Sequence, residues 1–278
     1  MKLTEKGKIA AGQDGAIWGD FLFRFHHNGQ CCVYDLSRDS IPEVGAFRLD
    51  RWETLCPHSN SVTFGCEYWA EGDEFPLLYS NIYNNYAKAE NRLEGACCVY
   101  RICREDGVFR STLVQLLKVC FVEEEALWGI GDNIRPYGNF AVDRENQLLY
   151  AFTMRDADQI TRYFAFPLPD ARAGFRDGWL QICPLEKPLF FFDTPYHRFI
   201  QGACVHKDKL ISLEGFTDSA ENPPAIRVID LKTRQQQEVC LCAALGTNVE
   251  PEFVDFQGDI CWYSDALGNL YQLELQGG

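Results

Sequence analysis

Five short segments of the chain each place one polar side chain ahead of alternating apolar residues, and these polar groups are the first candidates for chemistry. The segments are residues 14–18, 60–64, 139–143, 201–205 and 252–256, and they open with Asp14, Asn60, Asn139, Gln201 and Glu252. Their third residue is always Ala or Val, as expected where strands crowd around a common axis. Gathered into one ring, such carboxyl and amide groups can bind a polar ligand, and Asp14 with Glu252 could supply an acid and a base.

The segments that lead into these strands carry further polar and aromatic side chains. We therefore predict a ligand site at one mouth of the ring, formed by His58, Asn60, Arg135, Tyr137, Asn139, Tyr196, His197, Gln201 and Glu250. Loops that converge on one concave entrance commonly hold a ligand. An ordered water network is the alternative occupant, since it would satisfy the same polar groups.

A repeat indicates which elements must position these groups. Residues 29–36 (GQCCVYDL) return as residues 95–102 (GACCVYRI), and the same apolar alternation recurs at Phe164/Phe166, Ile229/Leu231 and Leu273/Leu275. A unit of roughly fifty residues that occurs five times is typical of an array whose units bury their faces against one another. Four antiparallel strands per unit form the blade of a β-propeller. The sequence therefore predicts an all-β, five-bladed β-propeller.

We expect one domain over residues 1–278, with blades at about 12–52, 58–122, 136–194, 199–246 and 250–276. The last unit has only three strands, whereas residues 2–10 form a strand pattern without a partner in the first unit. The N-terminal strand is therefore predicted to complete the last blade and close the ring, which removes two open edges. Three further expectations are an irregular insertion at residues 167–188, a fourth strand of blade 4 at 238–245, and single helical turns at 84–91 and 123–128.

The charge of the chain excludes two classes of partner. Lys and Arg number 26 against 40 Asp and Glu, which gives a net charge of −14, and such a surface repels phosphate backbones and anionic lipids. Neither nucleic acid nor a membrane is therefore expected as a partner, and the oligomeric state stays open. The 13 cysteines are odd in number and lack zinc-site spacing, so we expect free thiols, no metal, no cofactor and a cytoplasmic location.

Aromatic residues near the predicted mouth are candidate platforms for sugar rings, since the apolar face of a sugar packs on a flat ring. The candidates are Trp18, Tyr68, Trp69, Tyr137 and Tyr196. We therefore expect a small polar ligand, a carbohydrate in particular, at the central mouth. A protein-interaction scaffold that uses the rim of the propeller is an alternative.

In architecture the chain resembles the five-bladed propeller glycosidases, such as arabinanases and levansucrases, which work with acidic residues at the central mouth. This resemblance implies a second alternative, a glycoside hydrolase-like enzyme in which Asp14 and Glu252 are the catalytic carboxylates, because their blades become neighbours when the ring closes. Those families use three acids on separate blades. The corresponding positions of blades 2, 3 and 4 here are Asn60, Asn139 and Gln201, so the resemblance is one of fold.

Overall fold

Alternating apolar residues make β-strands of more than half of the described residues. The computed structural model describes residues 1–82, 96–119, 138–155, 159–195 and 199–275. Within these ranges 22 strands form five sheets, and two short helices connect strands. The sheets are the blades of a five-bladed β-propeller, which confirms the predicted fold class.

The first two blades contain the described strands up to residue 119. Strand β1 (Lys2–Lys8) precedes blade 1, which consists of β2 (Gly15–Trp18), β3 (Phe21–Phe25), β4 (Gln30–Asp35) and β5 (Glu43–Arg48). Helix α1 (Trp52–Leu55) leads to blade 2, which has β6 (Val62–Phe64), β7 (Leu78–Asn81), β8 (Ala96–Glu105) and β9 (Val108–Val119). Consecutive strands within each blade pair antiparallel.

The other three blades follow in chain order. Blade 3 starts with β10 (Asn139–Asp143), β11 (Leu148–Arg155) and β12 (Ile160–Pro167); the chain then forms β13 (Phe175–Asp177) and β14 (Leu180–Leu185), and β15 (Phe190–Thr194) completes the blade. Blade 4 has β16 (Ile200–His206), β17 (Lys209–Glu214), β18 (Ala225–Asp230) and β19 (Gln236–Cys240), followed by helix α2 (Leu241–Leu245). Blade 5 contains β20 (Pro251–Gln257), β21 (Ile260–Asp265) and β22 (Asn269–Glu274).

The N-terminal strand closes the ring as predicted. β1 pairs antiparallel with β22, from Lys2 opposite Glu274 to Lys8 opposite Asn269, and thereby becomes the outer strand of blade 5. Ile9, which follows β1, is buried in the core between blades 5 and 1. The beginning and the end of the described chain therefore hold one sheet together.

Each pair of adjacent blades encloses its own apolar core. In one of these, Phe23 of blade 1 packs against Phe64 and Phe75 of blade 2, with ring centroids 5.1 and 5.3 Å away. Successive side chains of a strand point to opposite faces, so Ala16 enters the core shared with blade 2 and Ile17 the core shared with blade 5. Every blade thus needs a neighbour on each side to bury its apolar residues.

The insertion within blade 3 contains a strand pair. β13 and β14 pair antiparallel, and β14 runs parallel to β9 of blade 2, from Ile182 beside Leu116 to Leu185 beside Val119. Cys183 and Leu185 enter the core between blades 2 and 3. The expectation of an irregular segment was wrong for these two strands, because their partner strand belongs to a different blade and gives no local signal.

The fourth strand of blade 4 is shorter than predicted. β19 ends at Cys240, and residues 241–245 form α2 instead of continuing the strand. Leu241 is fully buried, and its N–H donates to the carbonyl oxygen of Pro224 over 2.8 Å. Burial of this side chain against the start of β18 therefore overrides the strand pattern. The helical turns predicted at 84–91 and 123–128 lie outside the described residues.

Candidate functional site

The central channel has two chemically different ends, because the five inner strands run in the same direction around it. These strands are β2, β6, β10, β16 and β20, and each begins within two residues of one of the five predicted polar residues. With a rise of about 3.3 Å per residue, the four steps from Asp14 to Trp18 span about 13 Å. We call the end with Asp14, Arg24 and Glu252 the carboxylate end. The aromatic end, opposite to it, is formed by Trp18, Tyr68, Arg144, His206, Asp255 and Phe256.

Asp14 is fully buried, is hydrogen-bonded to blade 2 and approaches blade 4 closely. Its Oδ2 accepts a hydrogen bond from the backbone N–H of Val62 in blade 2 over 2.8 Å. Its Oδ1 faces Gly202 of blade 4, where an added Cβ would lie 3.1 Å from Oδ1 and 2.7 Å from the carbonyl oxygen of Glu252. Oδ1 has no hydrogen-bond partner among the described residues. Glycine at position 202 is therefore what permits this approach.

Arg24 supplies the positive charge of the carboxylate end. Its Nη2 donates to the carbonyl oxygens of Gly12 and Asp265 over 2.9 and 3.0 Å, whereas Nε and Nη1 have no partner within the described ranges. Burial lowers the pKa of the guanidinium, and the nearby Glu252 and Asp14 carboxyls raise it. Arginine stays protonated in proteins, so this side chain compensates both carboxyls. Sequence reasoning missed it, although one cation inside the apolar β3 sequence FLFRF was a usable signal.

Glu252 lies at the start of β20 and is almost completely buried. Its Oε2 has no hydrogen-bond partner in the part of the chain that the structure describes. Burial raises the pKa of Glu252 well above its ordinary value, while Arg24 opposes the shift. Burial likewise raises the pKa of Asp14, against the backbone N–H groups that bind it and against Arg24. Two carboxyls thus share one cation, and burial favours their protonated forms.

The predicted amides belong to a network that joins blades 2, 3 and 4. Asn81, at the end of β7, donates through Nδ2 to Oδ1 of Asn60 over 2.7 Å and to Oδ1 of Asn139 over 2.9 Å. The Nδ2 groups of Asn60 and Asn139 donate in turn to the carbonyl oxygen of Ile200, over 3.4 and 3.1 Å. These bonds give both residues a structural role. Asn81, which sequence reasoning missed, keeps an Oδ1 without a partner among the described residues.

Gln201, Glu250 and His58 lie around the same end. Gln201 donates through Nε2 to the carbonyl oxygen of Gly215 over 3.1 Å and to Oε1 of Glu250. Burial raises the pKa of Glu250. Burial, with a contribution from His27, lowers the pKa of His58 to about 4, so its imidazole is neutral at physiological pH. The other predicted ligand residues, Arg135, Tyr137, Tyr196 and His197, lie outside the described residues.

Two of the predicted sugar platforms, Trp18 and Tyr68, lie at the aromatic end and not beside the carboxylates. Trp18 is the last residue of β2, and its ring packs edge to face on Tyr68 with centroids 6.3 Å apart. Tyr68 is 41% exposed. Arg144 covers the Trp18 ring, with its Cζ 5.5 Å from the ring centroid. The expectation of these rings beside the carboxylates was wrong, because the length of the inner strand separates Trp18 from Asp14.

Arg144 and Asp255 form the polar centre of the aromatic end. Nη2 of Arg144 lies 3.5 Å from Oδ2 of Asp255. The same oxygen accepts from the backbone N–H of Ile17 over 2.7 Å, and Oδ1 accepts from the N–H of Phe256 over 2.8 Å. His206 stacks on the Phe256 ring, with centroids 3.9 Å apart. Both oxygens of this carboxylate are thus hydrogen-bonded, whereas Asp14 and Glu252 each have one oxygen without a partner among the described residues.

A groove of about 700 Å³ lies outside the channel, between β5, α1 and β9. Arg48, Arg51 and Arg110 are among its polar residues, and the Arg48 guanidinium stacks on Trp52 at 4.2 Å. None of the predicted site residues lines it. Sequence reasoning missed this groove, because it forms where the outer strands of two blades meet.

Other chemistries find little support in the described chain. Across the described ranges, no group of His, Cys, Asp and Glu side chains is arranged to hold a metal ion. No helix among the described residues is long and apolar enough to cross a membrane. The described cysteines are free, and burial raises the pKa of Cys31, Cys97 and Cys204. Buried thiols of this kind stay protonated and unreactive.

No protein-family model matches the chain, and no curated protein matches its sequence. Its fold is similar to that of glutaminyl cyclase from Myxococcus xanthus, with 11% identity and a TM-score of 0.52 over 99% of this chain and 94% of that one. The β-propeller domain of Cps50 (Swd1) from Myceliophteria thermophila aligns with 8% identity and a TM-score of 0.46 over 98% of each chain. Hydrazine synthase of Kuenenia stuttgartiensis aligns with 10% identity and a TM-score of 0.43 over 91% of this chain.

These similarities concern the fold alone. The chain covers 61% of the hydrazine synthase chain, which is less than two thirds of its length. One propeller fold serves many unrelated functions, so function has to be argued from the side chains of the two channel ends.

Proposed function

We propose that this propeller binds a small polar ligand at the carboxylate end of its channel. One observation carries the proposal: Nε and Nη1 of Arg24, Oδ1 of Asp14 and Oε2 of Glu252 are buried and have no hydrogen-bond partner among the described residues. A buried polar group without a partner costs about 1–3 kcal/mol, and a charged one costs more. A ligand that hydrogen-bonds to these atoms would offset that cost.

The positions of donors and acceptors define the chemistry of this ligand. Arg24 offers N–H groups, which call for a carbonyl or carboxylate oxygen on the ligand. Asp14 and Glu252 offer carboxyl oxygens, and Asn81 offers an amide oxygen, so the ligand also needs hydroxyl or amino groups. Hydrogen bonds in such a water-poor site are stronger than in water. A small molecule with both kinds of group fits best.

A thermal-shift screen tests the proposal directly. Amino acids, polyols, monosaccharides and small hydroxy acids are each added to the full chain, and any hit is measured by isothermal titration calorimetry. A ligand at a hundred times its Kd stabilises the folded state by about 2.7 kcal/mol, which raises the Tm by several degrees. We expect at least one compound class to produce such a shift.

Two glutamate variants of blade 5 locate the bound compound. Glu252→Gln keeps the shape of the side chain and replaces one carboxyl oxygen by an NH₂ group that cannot accept a hydrogen bond, so binding should weaken by about tenfold or more, the loss of one hydrogen bond to a buried group. Glu274→Gln is the matched control, because this residue is exposed on β22 of the same blade. A hit that both variants bind equally well, or a screen without any hit, contradicts the proposal and leaves water as the occupant.

A carbohydrate is one form that the ligand can take. Its hydroxyl groups donate and accept, as the carboxylate end requires. Among the predicted platforms, however, Trp18 and Tyr68 lie at the aromatic end. Support for a sugar beside Asp14 and Glu252 therefore comes from hydroxyl chemistry alone.

The glycosidase-like alternative has weaker support. Its acid–base chemistry needs one ionised carboxylate. Asp14 is fully buried and uses Oδ2 to bind the Val62 N–H, and burial raises the pKa of both Asp14 and Glu252. This alternative predicts hydrolysis of an aryl glycoside that is lost in both Asp14→Asn and Glu252→Gln.

The protein-interaction alternative is favoured by the outer edge of blade 3. β15 has the sequence FFFDT, and Leu189 and Phe191 are 62% and 53% exposed. The outer strand β1 of blade 5 instead carries lysines, which discourage pairing with another strand. The occupant that this edge fits is an extended apolar segment of another protein, added as a further strand. Phe191→Lys should abolish such binding in a pull-down, and equal recovery with the variant would contradict it.

A further inference from the structure

All five blades contribute a side chain to the aromatic end. Trp18 comes from blade 1, Tyr68 from the segment after β6 of blade 2, Arg144 from the turn after β10 of blade 3, and His206 from the end of β16, the inner strand of blade 4. Asp255 and Phe256 of blade 5 complete the set. The fold thus brings together residues that are up to 238 positions apart in the sequence. None of these side chains takes part in the carboxylate end.

The rings at this end form a supported platform. Tyr68 is 41% exposed, although it is a large aromatic residue. Its ring rests on Trp18 with centroids 6.3 Å apart, and Trp18 rests on Phe64 at 6.2 Å. Because the layer beneath Tyr68 is packed, the ring is held in place and little entropy is lost when a ligand settles on it.

The two charged groups nearest the Trp18 ring, Arg144 and Asp255, form a pair. Arg144 faces Asp255 at 3.5 Å, so the two charges compensate each other. Burial and the nearby Lys207 lower the pKa of His206, although Asp259 opposes the shift, which favours the neutral imidazole. A neutral imidazole has one donor and one acceptor nitrogen. The surface therefore suits a neutral molecule whose groups both donate and accept.

We propose that the aromatic end is a second binding site that takes a neutral carbohydrate, one pyranose ring in size. The apolar face of the sugar packs on Tyr68, and its hydroxyl groups bind Arg144 and His206. Flat apolar faces edged by hydroxyl groups are the property that distinguishes sugars from other neutral polar molecules. This site does not depend on the ligand of the carboxylate end.

Methyl glycosides of glucose, galactose, mannose and N-acetylglucosamine are the probes. Each is titrated into the full chain and followed by saturation-transfer NMR and by tryptophan fluorescence, since Trp18 lies against Tyr68. Tyr68→Ala should weaken the best ligand by about tenfold, which is the worth of one aromatic stack. Tyr68→Phe keeps the ring and should keep most of the affinity.

Two further variants make the result decisive. Phe175→Ala removes another exposed aromatic ring, 55% exposed on β13, and should leave binding unchanged. Glu252→Gln should also leave it unchanged, because the two sites are separate. The proposal is overturned if no glycoside binds, if Tyr68→Ala binds as tightly as the wild type, or if only Glu252→Gln loses binding. The last result would move the sugar to the carboxylate end and support the function proposed above.

Discussion

At the carboxylate end the ionisable groups are buried and only partly hydrogen-bonded, whereas at the aromatic end Arg144 and Asp255 form an ion pair and the Tyr68 ring is exposed. Arg24 keeps two nitrogen atoms without a partner among the described residues, while Arg144 lies 3.5 Å from Asp255. Both ends are built on the same five inner strands. The difference therefore comes from the residues at the two ends of those strands and from the neighbouring segments that carry Arg24, Tyr68 and Arg144.

This comparison shows where a ligand gains most from each end. At the carboxylate end, a ligand can form hydrogen bonds with buried atoms that have no partner in the described part of the protein. This end should therefore favour ligands with polar groups. At the aromatic end, a ligand can pack an apolar face on the exposed Tyr68 ring. This end should therefore favour ligands with a flat apolar face. Each of the following predictions compares a change at one end with a change at the other or tests the ring that joins them.

The largest effect is expected from deleting residues 1–11, because both ends depend on a closed ring. The deletion removes β1 and Ile9 and leaves β22 as an open edge. Differential scanning calorimetry should show a midpoint lowered by at least about 10 °C, or no cooperative transition at all. A truncated chain that melts like the full one would mean that the ring does not need this strand.

Removing the arginine of the carboxylate end should lower the unfolding free energy far more than removing the arginine of the aromatic end. Arg24→Met leaves Asp14 and Glu252 buried without their cation, and loss of one partner of a buried charge group costs about 3–5 kcal/mol. Arg144→Met should cost about 1–2 kcal/mol, since Asp255 keeps two backbone N–H donors. Urea unfolding measures both losses, and equal losses would erase the distinction between the two ends.

Alanine substitutions at two glycines compare the stability cost of a steric clash with the cost of an unfavourable backbone conformation. Gly202→Ala pushes a methyl group to 2.7 Å from the Glu252 carbonyl oxygen and should cost about 1–3 kcal/mol. Gly19, next to Trp18, has a φ of +57° and open space around the added methyl group, so Gly19→Ala should cost about 1 kcal/mol. Chemical denaturation of both variants checks the order, and a harmless Gly202→Ala would show that Asp14 and Glu252 have room to move.

The smallest effects are opposite pH dependences at the two ends. Burial raises the pKa of Glu252, so the folded state holds its proton more tightly than the unfolded state. Its contribution to stability is complete below about pH 4 and is lost as the pH rises through the raised value. Burial lowers the pKa of His206, so its contribution is complete above about pH 6.5 and is lost as the pH falls through the lowered value.

Glu252→Gln and His206→Gln separate these two contributions. Relative to the wild type, Glu252→Gln should gain unfolding free energy as the pH rises from about 4 to about 8, and His206→Gln should gain it as the pH falls. The change at His206 should be the smaller, because its side chain is partly exposed. Urea titrations across this range measure both slopes, and slopes of the same sign would refute the assignment.

The repeat was enough to predict the architecture because a propeller repeats one local pattern. Alternating residues fix which side chains face the neighbouring blades, and the polar residue near the start of each inner strand fixes where the carboxylate end begins. The incomplete last unit and the unpartnered residues 2–10 together predicted the closure that β1 and β22 make. These signals lie within one strand or one unit and need no knowledge of distant contacts.

The site was less predictable, because its partners come from other blades. Asn60 and Asn139 were expected to bind a ligand, but Asn81 and the Ile200 carbonyl already hold them. β13 and β14 were missed because they pair beside β9, a strand of another blade. The functional assignments of all the predicted site residues stay predictions, and they include Asp14, Glu252, Asn60, Asn139, Gln201, Glu250, His58 and the four residues outside the described ranges.

The sequence by itself determined the number of blades, the strand that closes them and the level of the channel at which Asp14 and Glu252 lie. The tertiary structure alone decided that Arg24 lies near these carboxyls and that Trp18 and Tyr68 occupy the far end. The physical reason is range: alternation acts between neighbouring residues, whereas the hydrogen bonds of the channel join groups such as Ile17 and Asp255, which are 238 residues apart. Which polar atoms find partners is therefore settled only when the ring is closed.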